Sequence, residues 1–220
     1  MKRSMDPLPP ASFPGDADAP RREPLPLVVP PVTLEGTTVR LVPLTADHVP
    51  ALTALCEPEL FTHFSRVLRT QDDVADYVAT ALRAASEGTE QAFAICLREG
   101  GDVVGTTRFM EIQRAHRTLE IGSTWLGRRV WRSRVNTECK FLLLRHAFDA
   151  LAVMRVQLKT DRRNVRSRAA IERLGATFEG ILRNHMLVRG GIVRDSAYYS
   201  ILDTEWAGVQ ARLTGLLARE

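Results

Sequence analysis

The sequence predicts an α+β domain, with helices on both faces of a mixed, mostly antiparallel twisted sheet (an α/β/α arrangement). Strand-type and helix-type segments follow one another in the order β-α-α-β-β-β-α-β-α-β-β. Three of the strands form a central antiparallel meander, and two βα units come only after it. A doubly wound nucleotide-binding sheet alternates strands and helices throughout, so this order argues against that class.

The first half of the domain is predicted to hold an opening strand, two helices and the meander. The opening strand alternates apolar and polar side chains, and Thr45 or Asp47 can cap the helix that follows it. The second helix stops at Gly88. The expected elements are a strand at 38–44, helices at 48–56 and 72–87, and strands at 92–97, 103–112 and 118–126. Short polar turns between the last three strands make the meander antiparallel.

The second half is predicted to hold three helices and three strands. Apolar residues at helical spacing mark the helix after the meander, and Gly175 closes the next helix. The expected elements are a helix at 135–151, a strand at 155–160, a helix at 164–174, strands at 176–187 and 192–202, and a helix at 203–217. The last two strands form a hairpin with a glycine-containing turn at 189–191.

The chain is predicted to contain a leader and a single domain. Residues 1–31 hold nine of the twelve prolines and no periodic apolar pattern, which is typical of a disordered or extended segment. Residues 32–220 are long enough to bury one core. The chain has no apolar run of membrane-spanning length and no signal-peptide core. We therefore expect a cytoplasmic protein with no membrane partner.

Cysteine usage and charge narrow the functional classes. Cys56, Cys96 and Cys139 are widely spaced without a C-x-x-C pair, so we expect buried thiols, no disulfide and no metal site. The formal net charge is +4, with arginine-rich clusters at 128–134 and 155–168. Such clusters can hold a nucleic acid backbone or a phosphorylated cofactor. Because no helix-turn-helix, zinc or aromatic RNA-binding signature is present, nucleic acid binding is the least favoured class.

The most informative stretch is residues 164–180. It carries Asn164, Ser167, the run Leu174-Gly175-Ala176 and the pair Glu179-Gly180. In these positions the chain resembles the GNAT family, in particular the RimJ/RimL-like branch that includes N-terminal acetyltransferases of ribosomal proteins. The resemblance covers most of residues 34–205. It implies the GNAT acyl-CoA N-acyltransferase fold, acetyl-CoA as the co-substrate and an amine as the acceptor.

The resemblance also implies a role for the helix at 164–174, as the second helix that contacts the cofactor. Asn164 can cap this helix, and its amide can meet a polar group of the pantetheine arm. Ser167 lies one turn later, and its hydroxyl can protonate the leaving thiolate. Without the resemblance, the same residues are an ordinary helix start.

A second set of implied roles lies on the strand at 118–126. Main-chain groups of Thr124, Trp125 and Leu126, past a bulge, are expected to pair with the pantetheine like a short extra strand. Glu120 is the candidate general base, because an amine must be neutral before it attacks a thioester. The alternative for Glu120 is a surface carboxylate or a partner for Arg117.

The pyrophosphate-binding loop departs from the family pattern Q/R-x-x-G-x-G/A, in which backbone amides at a helix start cradle the anion. Trp131 stands at the first position and Arg134 at the central glycine. The loop residues expected to bind the cofactor are Arg132, Ser133, Arg134, Val135, Asn136 and Thr137. Loss of the glycine leaves a catalytically degenerate binding module as the alternative function. In the other reading, Arg132 or Arg134 itself pairs with the phosphates.

Five aromatic residues are weaker candidates: His185, Tyr198, Tyr199, Trp125 and Trp131. The histidine either lies near the acceptor groove or is structural. Only one of the two tyrosines can face the core, and either hydroxyl is a reserve acid. The tryptophans either line the groove or pack.

No cysteine stands at a position suited to a covalent intermediate, so we expect direct attack by the amine in a ternary complex. The acceptor stays open between a protein N-terminus, such as that of a ribosomal protein, and a small-molecule amine. The oligomeric state is also open, and a homodimer is one assembly that the sequence allows.

Overall fold

Eight strands form one sheet in the computed structural model, which describes residues 26–219. The strands are β1 (Leu34–Glu35), β2 (Val39–Pro43), β3 (Gln91–Leu97), β4 (Val103–Gln113), β5 (Thr118–Leu126), β6 (Arg155–Asp161), β7 (Thr177–Val188) and β8 (Ile192–Leu202). They lie in the order β1-β2-β3-β4-β5-β6-β8-β7. Neighbouring strands are antiparallel except β5 and β6, which run parallel. The mixed, mostly antiparallel sheet that the sequence predicts is therefore confirmed.

Helices cover both faces of this sheet. The helices are α1 (Val49–Thr53), α2 (Gln71–Ser86), α3 (Val135–Arg145), α4 (Val165–Leu174) and α5 (Trp206–Leu217). Ala94 and Cys96 of β3 belong to a buried cluster that includes α1 and α2. Phe93 and Ile95 of the same strand belong to a second cluster that includes α3, α4 and α5. Because side chains alternate across a strand, β3 separates a two-helix layer from a three-helix layer.

Several predicted boundaries shift in the structure. The helix expected at 48–56 is shorter: a 3₁₀ turn (Ala46–His48) leads into α1, which ends at Thr53. The helix expected at 135–151 consists of α3 followed by a π-helical turn (His146–Ala150). α2 begins one residue early because Thr70 and Asp73 form a capping box that satisfies backbone N–H groups at the helix start.

The described end of the predicted leader lies against the domain. Leu27 is 3% exposed and belongs to the core cluster beneath the three-helix layer. Its N–H donates to the Arg114 carbonyl at 3.0 Å, and its own carbonyl accepts from the Arg114 side chain at 3.3 Å. Residues 1–25 lie outside the described residues, so the boundary between leader and domain stays a prediction. No helix within residues 26–219 is both long and apolar enough to cross a membrane.

Candidate active site

A fork opens in the middle of the sheet where β5 and β6 separate. These parallel strands pair only at residues 118–120 and 155–157. Beyond Glu120, β5 continues to pair with β4 as far as Leu126, while β6 continues to pair with β8 as far as Asp161. We call the gap between residues 121–126 and 158–161 the fork. Each of its edges faces the gap without a partner strand, so main-chain groups there that no side chain already engages can bind an extended ligand.

A β-bulge shapes the β5 edge of the fork. One residue of β4, Thr107, faces two residues of β5, Ser123 and Thr124, and Ser123 has a positive φ of 49°. The Ser123 hydroxyl lies 2.9 Å from the Tyr77 hydroxyl of α2, and the Thr124 hydroxyl lies 2.7 Å from that of Thr107. Lys140 of α3 also donates to the Thr124 hydroxyl at 2.6 Å. The expected bulge is therefore present, and side chains from both faces of the sheet hold it.

Glu120 lies at the vertex of the fork. It is 2% exposed, and its Oε2 accepts hydrogen bonds from Gln157 Nε2 at 2.9 Å and from Lys159 Nζ at 3.0 Å. It is thus neither a surface carboxylate nor the partner of Arg117, which donates to the Ala152 carbonyl instead. The alternative reading of Glu120 is wrong, because the parallel register sets it beside β6.

A cavity of about 340 Å³ lies beside the vertex of the fork. Its lining side chains are mostly polar and include Glu111, Gln113, Glu120, Lys159, His185 and Tyr198. The His185 ring joins two hydroxyls, with Nε2 3.1 Å from the Tyr198 oxygen and Nδ1 3.0 Å from the Ser196 oxygen. Burial, followed by the charges of Lys159 and Arg194, lowers the pKa of His185. The imidazole is therefore neutral at neutral pH.

The two neighbouring tyrosines face opposite sides of β8, as alternation predicts. Tyr198 lines the cavity, and burial raises its pKa above the usual range. Tyr199 is fully buried, where its hydroxyl donates to Glu172 at 2.8 Å and accepts from Arg168 at 3.0 Å. Of the two reserve acids considered, only Tyr198 is placed beside Glu120.

The loop before α3 places its arginines differently from the family pattern. Arg134 has ordinary helical angles, φ −64° and ψ −13°, so no glycine is needed there for conformation. Its guanidinium donates to the Leu217 carbonyl at 3.1 Å, at the end of α5. Arg132 instead has the positive φ, 59°, and its exposed side chain has no hydrogen-bond or ion-pair partner within residues 26–219. Arg132 is therefore the loop arginine that is free to meet an anion.

Trp131 connects this loop to the start of α4. Its Nε1 donates to the Leu126 carbonyl at 2.8 Å. The Arg166 guanidinium lies over its ring, 3.9 Å from the centroid, which is cation–π geometry. Most other arginines of the two clusters are engaged: Arg128 with Glu57, Arg129 with Asp102, Arg155 with Glu179, Arg162 with Asp195 and Arg163 with Asp161. Arg166, like Arg132, has no carboxylate partner in the described part of the chain.

α4 begins as the sequence predicts. The Asn164 side-chain oxygen accepts from the Ser167 N–H at 3.0 Å and caps the helix. Among the loop residues expected to bind the cofactor, Ser133 donates to the Val130 carbonyl at 2.7 Å and Asn136 is half-buried. Thr137 is fully buried and accepts from Arg173 at 2.6 Å.

Three of the predicted positions are used in packing. Val135 is buried in the cluster beneath the three-helix layer, together with Leu126. Trp125 is buried on the opposite face, with its ring centroid 5.6 Å from that of Phe61. Trp125 pairs with Thr106 of β4, and the Leu126 carbonyl accepts from Trp131, so the Leu126 N–H is the main-chain group that remains there for a ligand.

Sequence reasoning counted Lys159 only in the basic cluster at 155–168, without its contact to Glu120, and it missed Lys140. Gln157 and Lys159 lie two residues apart on β6, on the face that carries Glu120. An alignment of β5 and β6 in parallel register could have found their contacts with Glu120. Lys140 lies four residues after Asn136 on the same face of α3, one turn further from the loop at 131–134.

The thiols are not activated. Burial raises the pKa of Cys139 to about 11, and burial together with Asp73 raises that of Cys56 to about 11. Cys96 is buried and Cys56 is half-buried. The expectation of direct attack rather than a cysteine-bound intermediate is consistent with these environments.

Comparisons with known proteins agree with this geometry. A family profile described as an acetyltransferase (GNAT) domain matches residues 38–177, which include the fork, α3 and α4. A Bacillus licheniformis protein named uncharacterized N-acetyltransferase p20 is 30% identical over 122 residues, which is 56% of this chain and 67% of the relative. The solved GCN5-related N-acetyltransferase from Brucella melitensis is 32% identical with a TM-score of 0.80, covering 87% of this chain and 88% of that one. RimJ from Mycobacterium smegmatis, solved with CoA-disulfide, shares the fold at 21% identity with a TM-score of 0.74, covering 84% of this chain and 95% of that one.

Proposed function

Because this chain belongs to the GNAT acetyltransferase family, we propose that it transfers the acetyl group of acetyl-CoA to a primary amine by direct attack in a ternary complex. The observation that carries the proposal is the fork with Glu120 at its vertex. A slot between two strand edges suits an extended arm with amide groups, and a carboxylate at the closed end suits an amine that must lose a proton.

In this proposal the pantetheine arm lies in the fork, and the main-chain groups of Thr124 and Leu126 that face the gap bind it. The pyrophosphate lies at the start of α3, where unpaired N–H groups and the helix dipole favour an anion. Arg132 and Arg166, which have no carboxylate partners within residues 26–219, add positive charge at the same end. Asn164 is committed to capping α4, so its remaining amide N–H groups are the ones available to the arm.

Glu120 receives the proton of the attacking amine, directly or through a water molecule. Gln157 and Lys159 fix the position of the carboxylate through Oε2. The acyl carbon then bonds to nitrogen, the carbon–sulfur bond breaks, and Ser167 protonates the leaving sulfur. No cofactor beyond the co-substrate is needed for these steps.

The acceptor amine enters through the cavity beside the vertex. Glu111 supplies negative charge there, Glu120 is paired with Lys159, and the neutral His185 and Tyr198 supply hydrogen-bonding groups. This lining fits the amino group of a protein N-terminus or of a small molecule. We also propose that the protein acts in the cytoplasm.

Calorimetric titration with coenzyme A, followed by a thiol-release assay with acetyl-CoA, tests the proposal. The acceptor panel contains peptides with free N-termini, polyamines and aminoglycosides. We expect binding, turnover with at least one amine, and a loss of about 10²–10⁴-fold in kcat for Glu120→Gln with little change in affinity. The exposed Glu59→Gln serves as the control.

The alternative, a degenerate binding module, makes a different prediction. Binding of coenzyme A without turnover of any amine would favour that module. Failure to bind coenzyme A at all would overturn the proposed use of the fork.

A further inference from the structure

Lys140 is a buried ammonium group without an ionic partner. Its side chain lies 7% exposed in the three-helix face of the domain. Nζ donates to the Thr124 hydroxyl at 2.6 Å, and no carboxylate within residues 26–219 forms an ion pair with it. An ammonium group has three N–H donors, so two remain. Because a buried charge without a counter-charge is costly, an anion beside Nζ would stabilise the ammonium.

The position of this ammonium connects it to the fork. Thr124 belongs to the bulge on the β5 edge, and its hydroxyl also contacts that of Thr107. Asn136 and Lys140 are four residues apart on α3, so one helix face runs from the loop towards the bulge. The charge of Lys140 therefore lies along the edge that the proposed pantetheine arm would follow.

The charged groups around Lys140 are few. Burial lowers its pKa to about 8, and Cys139 and Glu120 oppose that shift. Glu120 is already neutralised by Lys159. The adjacent Glu138 carboxylate accepts four hydrogen bonds from residues 37–39 and is committed to them. The positive charge of Lys140 is thus left for a ligand.

We propose that the ammonium of Lys140 is the counter-ion of the coenzyme A thiolate. This inference rests on the proposed function. When the carbon–sulfur bond breaks, the electron pair leaves with sulfur, and the negative charge forms in the fork. Lys140 keeps its proton and offsets that charge until the sulfur is protonated. It is also expected to favour the thiolate form of bound product.

The pKa of the thiol of bound coenzyme A tests this directly, without turnover. The full chain is saturated with coenzyme A, and the ultraviolet absorbance of the thiolate is followed as the pH rises. We expect the thiolate of bound coenzyme A to appear about one pH unit or more below that of free coenzyme A, because the thiol and Lys140 titrate as a pair in which the thiolate keeps the ammonium protonated. Lys140→Met should remove the shift, and Lys140→Arg should retain most of it.

A second measurement uses only the wild-type chain, so it holds even if Lys140→Met does not fold. The affinities for coenzyme A and for desulfo-coenzyme A are compared as the pH rises through the pKa of the bound thiol. The ratio should rise about tenfold per unit of pKa shift. A ratio that does not change with pH overturns the inference.

The two proposals fail in different ways. If wild-type protein binds coenzyme A but the thiol keeps the same pKa in Lys140→Met, the thiolate role of Lys140 is wrong and the proposed function stands. If wild-type protein does not bind coenzyme A, both are overturned.

Discussion

The Arg134 guanidinium donates a hydrogen bond to the main-chain oxygen of Leu217, 3.1 Å away at the carboxyl end of α5. A cation at this end of a helix interacts favourably with the unpaired carbonyl groups and the helix dipole. The arginine that replaces the family glycine therefore serves the last helix, while its backbone keeps the helical angles that begin α3. The start of α3 therefore needs no glycine at this position for its conformation.

Arg134→Ala should lower stability and leave coenzyme A binding nearly unchanged. We expect a loss of about 0.5–2 kcal/mol in the free energy of unfolding, because α5 loses one of the hydrogen bonds at its carboxyl end. Arg132→Ala is the matched comparison, since that exposed side chain has no partner within residues 26–219. It should weaken coenzyme A binding about tenfold, the value of one charge-assisted hydrogen bond. Titration calorimetry and denaturant unfolding measure the two effects, and an equal affinity loss in both variants would contradict this assignment.

Gly122→Ala should reduce turnover by displacing the candidate base. A Cβ at this position would lie 2.7 Å from Glu120 Oε1 and 2.9 Å from Met110 Sδ. We expect kcat to fall about tenfold or more and stability to fall by about 1–3 kcal/mol, because the Met110 side chain and the Glu120 carboxylate, which Gln157 and Lys159 hold, would have to shift. Gly208→Ala is the control, since nothing lies within 4 Å of its Cβ. That change in α5 should instead stabilise by about 0.5–1 kcal/mol. An unchanged rate of thiol release in Gly122→Ala would show that the position of the Glu120 carboxylate does not limit turnover.

Tyr198→Phe and Tyr199→Phe should separate acceptor binding from stability. The Tyr198 hydroxyl contacts His185 in the cavity, so its loss should raise the KM for the amine and leave coenzyme A affinity unchanged. The buried Tyr199 hydroxyl bonds Glu172 and Arg168, so its loss should cost about 1–2 kcal/mol of stability. Steady-state kinetics with an amine found in the thiol-release screen, together with thermal melts, distinguish the two. A KM change confined to Tyr199→Phe would refute the placement of the cavity as the acceptor site.

Glu138 should make the fold sensitive to acid. Its carboxylate accepts hydrogen bonds from the N–H groups of Thr37, Thr38 and Val39 and from the Thr37 hydroxyl. Burial opposes ionisation, but these hydrogen bonds outweigh it and lower the pKa of Glu138. A group whose pKa is lowered by folding stabilises the protein above its unfolded pKa, and that stability is lost as the pH falls through the folded pKa.

Glu138→Gln should therefore lose about 2–4 kcal/mol near neutral pH and show a weaker decline in stability below about pH 4.5. Urea unfolding at several pH values measures this. Asp76→Asn is the control, because Asp76 forms an exposed ion pair with Arg66 and should change stability by less than about 1 kcal/mol. Parallel pH profiles for wild type and Glu138→Gln would contradict the role of the carboxylate.

Local signals in the sequence and the family resemblance predicted two structural features of the candidate site. Asn164 caps α4 because a short polar side chain before a helical pattern is a recognisable start, and the bulge before Thr124 follows from the family resemblance. The helix between β5 and β6 also implies their parallel pairing, since a crossover helix joins parallel strands.

The remaining contacts depend on packing between distant segments. Lys159 meets Glu120 only because β6 aligns with β5 in one register, and a shift of one residue would place it on the other face. Lys140 reads as a surface lysine on α3, and only the packing of α3 against the bulge shows that it is buried. The Arg134 side chain points towards Leu217 because α5 ends there, and no local pattern near residue 134 encodes the position of that end.

The short pairing between β5 and β6 divides the sheet into two panels, β1 to β5 and β6 to β8, hinged at three residue pairs. A pantetheine arm hydrogen-bonded to both edges of the fork would join the two panels as an additional strand does. The co-substrate would then be a structural member of the sheet as well as a reactant. We expect its arrival to slow amide hydrogen exchange on both panels at once, including at residues that it does not touch.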